Sequence, residues 1–294
     1  MLTLNLMSMP EANSNALAKI PTPRTLLKRY GIFARKSLGQ NFLADINIAR
    51  KIVELSGVSP QETVIELGVG LGTLTCALAE KVSRVIGFEI DKNLINILEK
   101  ENFLPEKVEI RQGDILKLDY QRLFEEIAKP LILFGNLPYY LSSRLLWRLV
   151  EQRKIINFCT FMFQKEVAER LSAMPGSKNY GPLSVLLALT ARVEKLMQLS
   201  PGCFYPSPEV HSTVVKITFL NKTLPNEKTL VALLKAAFSK RRKKITANLK
   251  PLGLNKEQAK QLLLSQGLSP DLRAEQIPPE KYLALACALE AKAS

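Results

Sequence analysis

Six runs along the chain combine apolar, β-branched or aromatic content with the length of a strand: TVIEL (63–67), RVIGFEID (84–91), KVEIRQGD (107–114), LILFG (131–135), INFCTFMFQ (156–164) and STVVKITFL (212–220). Between them the apolar period lengthens to that of a helix. DINIARKIVELSG (45–57) opens on Asp45, a capping residue. It spaces Ile48, Ile52, Val53 and Leu55 roughly along one face and closes on Gly57. Further helices are predicted over about 74–81, 92–101 and 165–173. Strands separated by helices predict an α/β architecture with a mainly parallel sheet covered on both faces.

The pattern changes after residue 221. EKTLVALLKAAFSKRRKKI reads as a helix with Leu230, Leu233, Leu234, Ala237 and Phe238 on one face. NKEQAKQLLLSQG and PPEKYLALACALEAK read as two more, with Pro279 in a first turn. The expected division is a flexible tail (1–23), an α/β domain (24–221) and a small α-helical domain (222–294).

Charge alters the picture. Charged residues are an ordinary 23% of 294, but 41 Lys and Arg stand against 27 Asp and Glu, a net charge of +14. From 222 onward there are 14 basic and 6 acidic residues, so a quarter of the chain carries more than half the excess. Such an excess points to a polyanionic partner. No lipidation signal and no apolar run of membrane-spanning length is present, which argues against a membrane partner. Residues 1–20 lack the pattern of a secretory signal, and the four cysteines are scattered without a CxxC. A reducing, cytoplasmic setting is expected. A single histidine, His211, argues against a histidine-rich metal site and a Ser-His hydrolase. No metal is expected, His211 is read as structural, and a monomer is the default.

Candidate chemistry gathers at the ends of the first four strands. VIELGVGLGTLT sets Gly68, Gly70 and Gly72 between a strand and a helix, where glycines let backbone approach a ligand. The next strand carries Glu89, suited to accept from ribose hydroxyls, and the third ends at Asp114, suited to accept from an adenine amino group. Together they point to an adenosine-bearing cofactor. The loop is not the G-x-G-x-x-G of a dinucleotide site, and no P-loop is present. S-adenosylmethionine, which carries no phosphate, fits better.

The fourth strand runs into Asn136, Leu137, Pro138 and Tyr139: an amide, a stiffened turn and a ring at the edge of a core. NLPY resembles the [DNS]-x-P-[YF] signature of amino-methyltransferases. With KSLGQNFL, ELGVGLGTLT, FQKEVAERL, FYPSPEVHSTVV and FSKRRKKI in collinear order over roughly 24–294, the chain resembles the KsgA family of small-subunit ribosomal RNA adenine dimethyltransferases. The resemblance implies a Rossmann-like class I methyltransferase domain with a seven-stranded sheet, plus the helical C-terminal domain. It implies S-adenosylmethionine as cofactor and two adjacent adenosines in the 3′-terminal hairpin loop of 16S ribosomal RNA as substrate, each dimethylated at N6. Adenine N6 is a poor nucleophile because its lone pair is delocalised into the ring. The Asn136 side-chain oxygen and the Leu137 carbonyl are suited to accept from the amino hydrogens, Pro138 to preorganise them and Tyr139 to stack on the base. By resemblance Phe204 closes the other face of the base, and Asn41 and Leu43 lie against the cofactor. Glu66 is expected to hold the glycine loop or the methionine end. Lys240, Arg241, Arg242, Lys243 and Lys244, on a helix, are expected to track RNA phosphates, with Lys28, Arg29, Arg35 and Lys36 as a second contact. The rivals are a resistance-type 23S ribosomal RNA adenine methyltransferase, a DNA adenine methyltransferase, and a non-catalytic assembly or transcription factor.

Overall fold

The structure is a computed structural model that describes residues 20–35 and 38–293. The greater part of the expected tail, Lys36 and Ser37 lie outside the described residues. The chain enters through α1 (Pro23–Tyr30), capped by the Thr22 hydroxyl and ended by Gly31 at φ 63°. A two-residue strand, β1 (Phe42–Leu43), precedes α2 (Ile46–Ser56), whose first turn is capped by Asp45. Alternation then sets in: β2 (Thr63–Leu67), α3 (Thr73–Lys81), β3 (Arg84–Glu89), α4 (Lys92–Glu101), β4 (Val108–Gln112), α5 (Tyr120–Ile127), β5 (Leu131–Asn136), α6 (Ser142–Glu151), β6 (Ile156–Gln164). Next come α7 (Lys165–Leu171), α8 (Pro182–Thr190), β7 (Ala191–Leu199), β8 (Phe204–Tyr205) and β9 (Ser212–Phe219). Four helices close the chain: α9 (Glu227–Ala237), α10 (Ile245–Asn248), α11 (Lys256–Ser265) and α12 (Pro279–Ala293). None of the described helices is long and apolar enough to cross a membrane.

The main sheet has seven strands in the order β4-β3-β2-β5-β6-β9-β7. The first five are parallel, and β9 runs antiparallel to both β6 and β7. From β2 the chain steps outward to β3 and β4, then returns to place β5 on the other side of β2. The connections therefore diverge between β2 and β5, and a crevice opens beyond the carboxyl ends of those two strands. The backbones there are close: a methyl on Gly135 would sit 2.5 Å from the Leu67 carbonyl oxygen. A second, two-stranded sheet pairs β1 with β8, matching Phe42 to Tyr205 and Leu43 to Phe204.

The six strand-like runs all form strands, with ends shortened where capping competes. Asp91, expected within a strand, instead accepts from Asn93 N–H and starts α4. The seventh strand, β7, is an exposed edge in which charges interrupt the apolar spacing. The last helices are not walled off from the sheet. Leu230, Leu233, Leu234, Tyr282 and Leu285 share one contiguous core with Val185, Leu186, Phe161 and Leu133. Arg153, buried near the start of β6, makes a bidentate ion pair with Glu227 at the head of α9. The Tyr180 hydroxyl donates to the Ile277 carbonyl at 3.0 Å. The change at about 222 is thus one of architecture within a continuous interior.

The helix expected to run through SKRRKK does not. It ends at Ala237, passes through a 3₁₀ turn at Phe238–Lys240, and becomes helical again only at Ile245. Buried Asn248 donates to the carbonyls of Ala237 (2.6 Å) and Lys240 (3.1 Å), taking up helix-end acceptors. Five consecutive cations wound into one helix would also repel one another.

Candidate active site

The crevice at the β2/β5 divergence deepens into a cavity of about 350 Å³. Its floor is the glycine loop after β2. Gly68 and Val69 N–H groups donate to the Phe88 carbonyl (2.9 and 3.2 Å), which clips the loop to β3. Gly70 has φ 61°, and a methyl on it would lie 2.9 Å from the Phe42 ring. Only glycine meets both demands.

Glu89, at the end of β3, is 6% exposed. One carboxylate oxygen accepts from Gly70 N–H at 2.8 Å; the other accepts from Ile90 and Asp91 N–H groups at 2.8 and 2.9 Å. Burial raises its pKa, and the three backbone donors pull the other way. Glu89 therefore ties the glycine loop to the turn after β3 as well as lining the cavity. Asp114 lines the same cavity beyond β4 and accepts from Leu116 N–H at 2.9 Å.

Glu66 faces this cavity from β2 with 1% exposure, and its Oε2 has no protein hydrogen-bond partner. Burial pushes its carboxyl up to about 8, against the pull of the Thr75 hydroxyl and with further upward pressure from the Glu89 charge. A buried oxygen without a partner is costly. A polar ligand group in the cavity would relieve it.

The far wall comes from the lead-in 38–43 and the NLPY turn. Asn136 Nδ2 donates to the Asn41 carbonyl at 2.6 Å, which sets the amide's orientation and leaves Oδ1 as an acceptor. Asn41 in turn donates to the Gly39 carbonyl at 3.3 Å. Gln40 holds the lead-in: its Oε1 accepts from Arg35 N–H (2.8 Å) and its Nε2 donates to Asp91 (3.0 Å). Leu137 is buried, and the Pro138 carbonyl accepts from Leu141 N–H at 3.0 Å, closing the turn. Tyr139 opens a 3₁₀ turn, and its side chain lies outside the described residues.

Of the expected site residues, Asn41, Leu43, Gly68, Gly70, Glu89, Asp114, Asn136 and Pro138 line one cavity, together with Glu66 and Gln40. Phe204 does not. It is 2% exposed, pairs with Leu43 across β1–β8 and packs into the core beneath, so in this structure it is an interior residue. Phe42, Lys117 and Arg144, which the sequence does not single out, also line the cavity, as does Tyr140 beside the NLPY turn. Phe42 sits between the two lead-in residues that were singled out. Arg144 lies on the first turn of α6, a helix not among those predicted from the sequence pattern.

The basic run divides into roles. All of Lys240, Arg241, Arg242, Lys243 and Lys244 are exposed. Arg241 donates to the carbonyls of Lys178 (2.7 Å) and Tyr180 (3.0 Å), and Lys244 pairs with Asp271 at 2.7 Å. Lys240, Arg242 and Lys243 have no ion-pair partner among the described residues. In the N-terminal cluster, Arg29 is engaged with Glu101 at 2.6 Å and Arg35 lies 3.6 Å from Asp91. Both are half-exposed, Lys28 is exposed, and Lys36 lies outside the described residues. His211 is exposed, and its carbonyl accepts from Lys165 N–H at 3.0 Å.

Known proteins similar to this chain are ribosomal RNA methyltransferases or dimethyladenosine transferases by name. A protein called ribosomal RNA small subunit methyltransferase A from Syntrophus aciditrophicus is 39% identical over 269 residues, covering 89% of this chain and 96% of its own. The protein of that name from Desulforapulum autotrophicum is 40% identical over 274 residues, covering 91% and 96%. Among solved structures, a dimethyladenosine transferase from Plasmodium falciparum superposes with a TM-score of 0.73 at 26% identity, over 86% of this chain and 98% of that one. The 23S rRNA methyltransferase ErmE gives 0.63 at 23% identity, a likeness of fold. The sequence model described as Ribosomal RNA adenine dimethylase matches residues 32–290, a span that takes in the glycine loop, the NLPY turn and the basic C-terminal turn alike. With the cavity, its loop and its amide accounted for together, the chain belongs to the ribosomal RNA adenine dimethylase family.

Proposed function

We propose that this protein transfers methyl groups from S-adenosylmethionine to N6 of two adjacent adenosines in the 3′-terminal hairpin loop of 16S ribosomal RNA, dimethylating each during small-subunit biogenesis. The observation that carries the reading is the Asn136–Asn41 bond, which turns the amide oxygen of the NLPY motif into an oriented acceptor inside a cavity floored by the glycine loop.

The cavity fits the methyl donor. It offers backbone room at Gly68 and Gly70, carboxylates at Glu89 and Asp114 for ribose hydroxyls and adenine amino group, and Glu66 for the methionine end. Asn41, Leu43 and Asn136 complete the holding set. The donor supplies an activated methyl group on a sulfonium. The protein's share is to position and to accept hydrogen bonds. Asn136 Oδ1 and the Leu137 carbonyl take the two amino hydrogens of the target, drawing N6 toward tetrahedral geometry and freeing its lone pair. Pro138 keeps those acceptors from rearranging, and Tyr139 supplies a face for the base. No side-chain base is needed, because N6 becomes acidic only on methylation and its proton can pass to water. The portion 24–221 holds cofactor and chemistry. The portion 222–294, through Lys240, Arg242 and Lys243, follows phosphates.

The test is transfer of labelled methyl from S-adenosylmethionine to unmethylated small subunits, followed by nucleoside analysis. N6,N6-dimethyladenosine in the 3′-terminal hairpin supports the reading. Label confined to large-subunit RNA would move the assignment to the resistance-type activity. No label with tight subunit binding would leave a binding factor.

A further inference from the structure

Tyr140 directly follows the NLPY turn. Its ring is 58% exposed, yet it lines the cavity. It lies over Gly39, where a methyl would be in ordinary contact with Tyr140 Cδ1 at 3.6 Å and tighter, at 3.3 Å, against Pro138 Cβ. Four residues on, Arg144, on the first turn of α6, lines the same cavity. It is exposed and has no carboxylate partner among the described residues. A flat aromatic face and a guanidinium thus line the same cavity that a base must enter. Glu66, Glu89 and Asp114, the acids of the cavity, are already assigned to the methyl donor. At the mouth the charge is positive, with Lys117 adding a second cation.

We propose that Tyr140 and Arg144 seat the nucleotide next to the target adenosine, Tyr140 stacking on its base and Arg144 binding its phosphate. The inference rests on the reading of the protein as an RNA adenosine methyltransferase and adds to it. A target adenosine must leave its stack to reach the cavity, and its neighbour then loses a stacking partner. An aromatic ring at the rim replaces that partner for any base, while a guanidinium fixes the backbone on which both nucleotides hang. Methyl transfer to adjacent adenosines makes such a seat useful twice, since each target is the other's neighbour.

The experiment compares the full-length wild type with Tyr140→Ala, Tyr140→Phe and Arg144→Ala. Steady-state kinetics are varied separately in small subunits and in S-adenosylmethionine, with thermal unfolding as a check on folding. Expected for Tyr140→Ala is a roughly tenfold or greater loss in kcat/KM for subunits, the size of one base–aromatic stack, with the KM for S-adenosylmethionine within about twofold. Tyr140→Phe recovers most of the loss. Arg144→Ala weakens subunit binding and lowers its salt slope by about one. Unchanged subunit kinetics in Tyr140→Ala, or an equal loss in the S-adenosylmethionine KM, overturns the proposal while leaving the methyltransferase reading intact. An inactive but folded wild type overturns both.

Discussion

Replacing Glu66 by Gln isolates one buried proton. The wild-type carboxyl is pushed up to about 8 from an ordinary 4.5, chiefly because burial penalises its charged form. Below pH 4.5 folded and unfolded chains both hold the proton, and its ionisation adds no cost. Between 4.5 and about 8 the folded state keeps a proton that the unfolded state has released, so stability falls as pH rises. Each unit in that window is worth about 1.4 kcal/mol, which amounts to roughly 3 kcal/mol at pH 7 and about 5 kcal/mol above pH 8. The glutamine variant has the same shape and no proton to lose. Chemical unfolding of both proteins without cofactor, from pH 4 to 9, gives a difference curve in which all other titrations cancel. That curve should rise in favour of Glu66→Gln with about a one-proton slope and level off near pH 8. Any cost of burying the amide shifts the curve without changing its slope. A flat difference, or a slope confined to pH below 5, would show that Glu66 is solvated and would refute the reasoning.

Asn136→Ala removes the amide acceptor and the bond to Asn41; methyl transfer in single-turnover assays should fall about 10²–10³-fold. Gly70→Ala places a methyl 2.9 Å from the Phe42 ring at φ 61°; a loss of about 1–3 kcal/mol on unfolding and a tenfold or greater weakening of cofactor binding by calorimetry are expected. Arg241→Ala should lower stability by about 1 kcal/mol, because it frees the Lys178 and Tyr180 carbonyls. Arg242→Ala should leave stability within about 0.5 kcal/mol while reducing the salt slope of subunit binding by about one.

Much of the site was legible because its chemistry lies at strand ends, where period-two patterning stops and glycine, acid and amide stand out. Gly70, Glu89 and Asn136 are examples: each makes a specific contact within the site, and each residue type has few substitutes there. Glu89 was legible in place but only partly in role, since its engagement with three backbone donors depends on how the turn after β3 closes. Phe204 is expected as a wall only through the family resemblance. The β1–β8 register turns it inward, and strand facing is not recoverable from a two-residue strand. β7 escaped notice because an edge strand tolerates charge at alternate and consecutive positions, so ARVEKLMQL shows no period. α8 was hidden for the opposite reason: it is buried nearly all round, and PLSVLLALT offers no polar face to reveal its helical period. The broken helix at SKRRKK turned on buried Asn248, whose bonds back to Ala237 and Lys240 the local hydrophobic pattern does not register.

The pairing of β1 with β8 has a consequence for biosynthesis. The lead-in that supplies Gln40, Asn41, Phe42 and Leu43 to the cavity is among the first parts of the described chain to leave the ribosome, yet its strand partner is Phe204–Tyr205. The glycine loop, Glu89 and Asn136 can all emerge before the cavity has its wall. Such a non-local closure waits on chain length rather than on local folding speed. A nascent chain truncated before residue 204 should therefore lack a complete cofactor pocket, and one extending past β9 should have the means to close it. Competence to bind the methyl donor would then arrive late in translation, as a single step set by the emergence of β8.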